Sequence, residues 1–326
     1  MRNSDLPDSW TAFGNFSQNK QTLTQKTACF GETRHAVFFQ TPIHFQAKKL
    51  RAVGRIVIDS FRSIEDLMQK PLEIVVTNDD GIFAPGILAL ASTAMKIGNV
   101  SVIAPDKNWS ASGHQKALGR PLRVDPVSFP LDIPAYATDG GPSDCVALAG
   151  LGFLDKKIDL VLSGINPTSN VSRDITYSGT VTSALESTIW NMKGIAFSLD
   201  AGSIKIKEID FSETEPMILT VVRTFLQHEL PPFTILNVNL PYKVKKPNPD
   251  YVITREGSRY YRDELIRQVD PFGKPYYWFG GDPPYGDEEE GTDCGELARG
   301  NISITPLQLD LTAEQLIPSL QQWEWK

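Results

Sequence analysis

The sequence predicts an α/β fold, an open and mostly parallel sheet sandwiched between helix layers. Two observations carry this prediction. Short apolar, β-branched runs alternate with segments that repeat apolar residues at helical spacing. The first strand, helix and second strand also fit within about 30 residues, the length of a βαβ unit, which makes those strands parallel and the crossover right-handed.

The elements follow in order. Ile74-Val75-Val76-Thr77 is the first run, read as a strand buried on both faces. Asn78-Asp79-Asp80-Gly81 supplies turn chemistry after it. Ile87, Leu90, Ala91 and Ala94 share a helical face within residues 86–97, and Gly98-Asn99 ends that helix. Residues 100–104 form the second strand, stopped by Pro105, and residues 135–138 another. Gly140-Gly141-Pro142-Ser143-Asp144 opens a helix through residue 153, with Pro142 in its first turn. A strand at 158–163, a helix from Ser178 to residue 192 and a strand at 195–199 come next. A helix at 215–228 and a strand at 234–240 complete the sheet. A late strand is read at 301–306 and a terminal helix at 313–322, interrupted by Pro318.

Three segments result. Residues 1–67 are polar and aperiodic, which predicts a disordered extension or a start assigned too early, with Met68 opening the folded chain. Residues 68–246 are the catalytic core. Residues 247–326 carry Pro, Tyr, Trp and charge, including the acidic run 287–290, and are expected to hold a β-hairpin and a helix.

Composition narrows the function classes. The chain has 326 residues, 41% hydrophobic and 22% charged, as ordinary globular proteins do. A net charge of −7 argues against a nucleic-acid polymer as partner. No run of about 18 apolar residues predicts a membrane span, and no signal peptide is read. Cys29, Cys145 and Cys294 are too few and too scattered for a disulfide framework, so a cytoplasmic location is expected.

In open α/β sheets ligands bind beyond the carboxyl ends of the strands. The first strand delivers Asn78, Asp79 and Asp80. Two adjacent acids repel unless a cation or proton lies between them, and hard oxygen ligands suit Mg²⁺, Mn²⁺ or Ca²⁺. The plain alternative is an Asx-type turn. The second strand delivers Ser110, a possible hydroxyl ligand or a polar loop residue. The strand at 158–163 delivers Asn166, whose carbonyl oxygen is a hard ligand and whose amide can donate to phosphate. Tyr177-Ser178-Gly179-Thr180 opens a helix whose N-terminus can hold an anion, Gly179 allowing close approach; simple capping is the alternative. Together these are the parts of metal-assisted phosphoryl hydrolysis.

The chain resembles the SurE family, the survival-protein E nucleotidases. Val76-Thr77-Asn78-Asp79-Asp80-Gly81, Ala104-Pro105-Asp106-Lys107, Ser163-Gly164-Ile165-Asn166 and Tyr177-Ser178-Gly179-Thr180-Val181 carry the resemblance, supported by Pro142-Ser143-Asp144-Cys145 and Ser303-Ile304-Thr305-Pro306-Leu307. It implies a Rossmann-like core and a divalent-metal 5'-nucleotidase, in which Asp79, Asp80, Ser110 and Asn166 bind one Mg²⁺ or Mn²⁺ per subunit. Asp79, Asp80, Asn166 and Ser178 would be catalytic. Asn78, Ser110, Ser178, Gly179 and Thr180 would bind the nucleotide substrate. Action on 3'-nucleotides and short polyphosphate is also implied, as is a homodimer or homotetramer exchanging C-terminal segments. Gly141, Thr168 and Ser172 depart from the family's usual residues.

Other residues carry weaker expectations. His114 could serve as acid or base, and Asp144 reads as a helix cap. Trp109 could stack on a base or pack at a surface. Arg255, Arg259 and Arg262, with Tyr260 and Tyr261, could guide substrate or form a dimer contact. A nucleotide-sensing protein without turnover is the competing function. A phosphatase with an aspartyl nucleophile ranks last, because it wants acids spaced by one residue.

Overall fold

The computed structural model describes residues 71–202, 204–242 and 248–325. Residues 1–67, Met68 and Cys29 lie outside the described residues.

The chain opens with β1 (Leu72–Thr77), α1 (Pro85–Ala94) and β2 (Gly98–Pro105). It continues through β3 (Val124–Pro126), β4 (Ala135–Thr138), α2 (Pro142–Gly150) and β5 (Leu160–Asn166). Next come α3 (Gly179–Ile189), β6 (Lys193–Asp200), α4 (Thr214–Leu226) and β7 (Thr234–Pro241). The last part holds β8 (Tyr251–Ile253), β9 (Arg259–Val269), β10 (Pro275–Gly286), α5 (Asp293–Ala298), β11 (Ile302–Gln308) and α6 (Ile317–Leu320).

Nine strands form one sheet in the order β3-β4-β2-β1-β5-β6-β7-β11-β8. The six from β4 to β7 run parallel. β3 is antiparallel to β4 at one edge, and β11 is antiparallel to β7 near the other. Residues 247–326 thus add β8 and β11 to the same sheet, while β9 and β10 pair as a separate antiparallel hairpin.

Alternating side chains of each strand feed opposite faces. Ile74 and Val76 point to one cluster, with Ile87 and Leu90 of α1 and Ile218 and Val222 of α4. Val75 points to another, with Cys145 and Val146 of α2. Val181 and Ala184 of α3 pack with Ala196 and Ile235. Helices on both faces of a mostly parallel sheet make the three-layer arrangement that the alternation predicts. Burial on both faces is also why the strands read as continuous apolar runs.

Differences are local. The helix expected at 313–322 is a 3₁₀ turn followed by the single turn of α6, and Pro318 stands at the start of that turn rather than within a longer helix. Proline fits there, because a first-turn residue needs no N–H partner. β3 and β8 escape the reading because three residues cannot display a period. No helix among the described residues is long and apolar enough to cross a membrane.

Strand order positions the site. From β1 the chain moves outward through β2 to β4, then returns to lay β5 on β1's other side and continues to β6 and β7. The direction of winding therefore reverses between β1 and β5, and loops diverging there leave a crevice at the strand ends. Thr77 of β1 pairs with Ser163 of β5, which sets Asp79 and Asn166 at neighbouring strand ends.

Phe197, on β6, is the largest of the fully buried side chains. Phe197→Ala is expected to lower unfolding stability by about 3–5 kcal/mol. Denaturant titration checks it, and a loss within the error of the measurement would contradict the packing.

Candidate active site

The turn after β1 is shaped by Asn78. Its Nδ2 donates to the Gly81 carbonyl at 3.0 Å, and its Oδ1 accepts from the Gly81 N–H at 3.2 Å. Both polar groups of a buried side chain are thereby used within the turn. Asn78, expected among the substrate contacts, instead holds the turn that projects Asp79 and Asp80.

Asp79 is 4% exposed. The Thr180 hydroxyl donates to its Oδ1 at 2.7 Å, and the Trp109 N–H donates to its carbonyl at 2.7 Å. Burial pushes the Asp79 carboxyl above its ordinary value, while the Thr180 hydroxyl and backbone groups of Thr180 and Gly179 favour its charged form. Asp80 is half-buried, and Asn108 donates to its Oδ1 at 3.2 Å. Burial first, and the Asp79 charge second, push the Asp80 carboxyl up to about 7 against the Asn108 bond. Two acids displaced upward in this way call for a neutralising partner.

The N-terminus of α3 meets this pair. Ser178 is the cap, its hydroxyl oxygen accepting from the Val181 N–H at 3.1 Å. A side chain at Gly179 would place its Cβ 2.7 Å from the Cβ of Asp79, so only glycine lets the helix start approach so closely. Thr180 is fully buried, and its hydroxyl is committed to Asp79. The anion received by this helix end is therefore Asp79 itself. Gly179 and Thr180, expected as substrate contacts, act in this structure on the carboxylate.

Asn166 ends β5. Its Nδ2 donates to the Thr168 carbonyl at 2.6 Å and the Thr168 hydroxyl at 3.1 Å. The amide expected to reach phosphate is thus taken, and the side-chain oxygen is the group left to bind. Ser110 is exposed, with its N–H donating to Asn108 Oδ1 at 2.8 Å.

Asp79, Ser110, Asn166 and Ser178 line a single cleft of about 960 Å³. Asp80 does not line it and stands beside Asp79 against Asn108. Among the described residues no cluster of three or more His, Cys, Asp and Glu is placed to hold a metal. The set here is of another kind, two carboxylates with neutral oxygens. Tyr177, read in the sequence only as the start of the helix-opening motif, also lines the cleft, as do Arg173, Asp174 and Phe279, which escaped the sequence reading. Arg173 and Asp174 lie in a short 3₁₀ helix, Ser172–Thr176, and Phe279 lies in the β9–β10 hairpin, so no sustained helical period flags them. Arg259 does reach the cleft, its Nη1 donating to Asp174 at 2.7 Å. Arg255 pairs instead with Glu289, so the acidic run is partly an ion-pair partner. Arg262 lies on β9, with its side chain outside the described residues.

The remaining candidates are structural here. His114 donates to Glu186 at 2.8 Å and does not line the cleft. Asp144 caps α2, accepting from the N–H groups of Gly141 at 2.9 Å and Ala117 at 3.0 Å. Trp109 lies under the Lys107 ammonium, 5.5 Å from its ring centroid. Ser172, where the resemblance expects glycine, has φ +55°. Its hydroxyl donates to the Gly257 carbonyl at 2.9 Å, and its N–H donates to Asp293 at 2.7 Å. Those bonds support a backbone conformation that serine seldom adopts.

Comparison with known proteins gives a consistent outcome. A family model described as Survival protein SurE matches residues 74–263. The 5'-nucleotidase SurE of Chloroflexus aggregans is 43% identical over 255 residues, covering 78% of this chain and 99% of that protein. The 5'-nucleotidase SurE 1 of Thermus thermophilus is 43% identical over 252 residues, covering 76% of this chain and 96% of that protein. The crystal structure of the Aquifex aeolicus SurE protein superposes with a TM-score of 0.63 at 38% identity, covering 76% of this chain and 98% of that one.

Thr180→Val keeps the shape of the threonine but leaves Asp79 without its hydroxyl donor. Stability should fall by about 1–3 kcal/mol, the cost of stranding a buried polar group. Chemical denaturation measures this, and wild-type stability would show that the bond contributes nothing.

Proposed function

The chain belongs to the SurE family, and from that membership we propose that it hydrolyses nucleoside 5'-monophosphates to nucleoside and phosphate. The observation that carries this reading is the convergence of Asp79, Ser110, Asn166 and Ser178 on one cleft at the switch point of the sheet. The names of the relatives agree with it.

A divalent cation, Mg²⁺ or Mn²⁺, fits the donor set. Asp79 and Asp80 are both displaced toward the neutral form, so a cation would relieve them. Asn166 has its nitrogen anchored and its oxygen available. Ser110 adds a hydroxyl, so all four donors are hard oxygens. Bound by them, the cation would polarise a phosphoryl oxygen and make a bound water more acidic.

The chain's own residues do the rest. Ser178 faces the cleft from the start of α3, and its hydroxyl, which accepts from the Val181 N–H, keeps its proton for a phosphate oxygen. Arg173 brings positive charge into the cleft of a protein whose net charge is −7, and Arg259 reaches the cleft paired with Asp174. Tyr177 and Phe279 offer apolar surface to a nucleoside. Water is the nucleophile in this reading. Asp79 is held by Thr180 from below, which suits a ligand better than an attacking group.

Action on 3'-nucleotides and short polyphosphate belongs to the same reading, and a cleft of about 960 Å³ supports it. A homodimer or homotetramer built through the hairpin fits its exposed Leu265, Phe272, Trp278 and Phe279. The free thiols of Cys145 and Cys294 suit a cytoplasmic location. A nucleotide-sensing role without turnover remains the alternative, and phosphate release separates the two.

Asp79→Asn and Asp80→Asn should each lower Mn²⁺-dependent phosphate release from a nucleotide panel by about 10²-fold or more. Full activity in either variant would sink the site assignment.

The acid pair also fixes the sign of a pH effect. Between 3.8, the ordinary Asp value, and about 7, the unfolded chain gives up the Asp80 proton while the folded chain keeps it. The Asp80 penalty on the fold therefore grows as pH rises through that window and is complete above it. Mn²⁺ relieves that penalty and competes with the proton. It should raise Tm more at pH about 8 than at about 5. Calorimetry showing equal shifts would contradict the charge pairing.

A further inference from the structure

Glu186 is fully buried on α3. Three donors converge on its carboxylate. His114 Nε2 donates to Oε2 at 2.8 Å, Lys116 Nζ to Oε1 at 2.7 Å, and Trp190 Nε1 to Oε1 at 2.8 Å. Burial alone would push this carboxyl up, yet the bonds from His114, Lys116 and Trp190 outweigh it and hold the group below its ordinary range. A buried, ionised and fully bonded carboxylate is costly to build, and losing one partner leaves charge stranded.

His114 and Lys116 belong to the loop after β2, the segment that carries Asn108 and Ser110. That loop also meets the residue just ahead of the α3 cap and the first turn of α3. The Gly113 N–H donates to the Tyr177 carbonyl at 3.0 Å, and the Thr182 hydroxyl lies 3.0 Å from the Gly113 carbonyl and 2.8 Å from the Ser178 carbonyl. Ser178, Thr182 and Glu186 follow at helical spacing of four, so they lie on one face of α3. The same helix touches Asp79 through Thr180 and the cleft through Ser178. Glu186 lies eight residues along, about 12 Å from the cap, too far to touch the reacting atoms.

We propose that Glu186 is a positioning residue, which fastens the Asn108–Ser110 loop to α3 and so fixes Ser110 relative to Asp79 and Asn166. One helix then carries both sides of the site. Its first turn orients Asp79, and its third turn sets the loop that brings Ser110 to the same cleft. The role rests on the nucleotidase reading for its effect on turnover, but its effect on cation binding can be read without turnover.

The test uses the full chain with Glu186→Gln, Lys116→Met, Ser110→Ala and the double variants that combine the last with each of the others. Glu186→Gln keeps the shape of the side chain. Lys116→Met breaks the clamp from the loop side, where the partly exposed lysine makes misfolding a lesser concern. The readouts are Mn²⁺ affinity by titration calorimetry and steady-state kinetics of phosphate release. Glu186→Gln and Lys116→Met are each expected to weaken Mn²⁺ binding about 10-fold, with a matching loss in kcat/KM. In the Ser110→Ala background the same changes should cost no more than about two-fold, because the loop then has no ligand to position. A merely structural role would give the same loss in both backgrounds, and that additivity would overturn the proposal. Wild-type Mn²⁺ affinity in both clamp variants would overturn it as well. Intact coupling in Mn²⁺ binding without phosphate release from the wild type would sink the nucleotidase reading and leave the positioning role standing.

Discussion

A carboxylate taken out of water at the end of a buried strand is the constraint on which the site depends. Asp79 is 4% exposed, and burial works against its charge. The chain meets that cost with the Thr180 hydroxyl at 2.7 Å and with the first turn of α3. To do so, α3 must come very close, and Gly179 removes the side chain that would collide with Asp79. The position of α3 then fixes Ser178 at the cleft and Glu186 beneath the loop after β2. One unfavourable burial thus organises three connections.

The sheet explains why these connections meet at all. Parallel strands in a doubly wound order send every loop at their carboxyl ends to the same edge. The reversal between β1 and β5 separates those loops enough to leave a cleft. The C-terminal segment completes the wall. Arg259 of β9 pairs with Asp174, and Ser172 bonds to Asp293 and Gly257. These bonds tie the loop beyond Asn166 to the end of the chain. Ser172, which differs from the residue the family resemblance expects, takes part in this tying, while Thr168, which also differs, holds the Asn166 amide. Two of the three departures, Thr168 and Ser172, therefore fall on residues whose hydroxyls the structure uses.

The legible part of the protein was the part governed by short-range pattern. Ile74 to Thr77 shows its strand in consecutive apolar residues, and Ile87, Leu90 and Ala94 show their helix by spacing. The donor types at Asp79, Asp80, Ser110 and Asn166 could be named because each follows a strand. Their settings could not. Asn78 closes its own turn, the Asn166 amide is held by Thr168, and Thr180 faces Asp79 rather than open cleft. His114, weighed as an acid or base, is bound by a carboxylate 72 residues away.

By itself the sequence determined the alternation of strands and helices, the apolar faces and the identity of the oxygen donors. Those depend on backbone propensity and on residues within a few positions, which any reader of the chain can see. Tertiary structure alone decided which donors share a cleft and which are spent on one another. The Asp79–Thr180 bond joins residues 101 positions apart, and the Arg259–Asp174 pair joins residues 85 apart. Such contacts arise from strand order and close packing, and neither leaves a local signature in the chain.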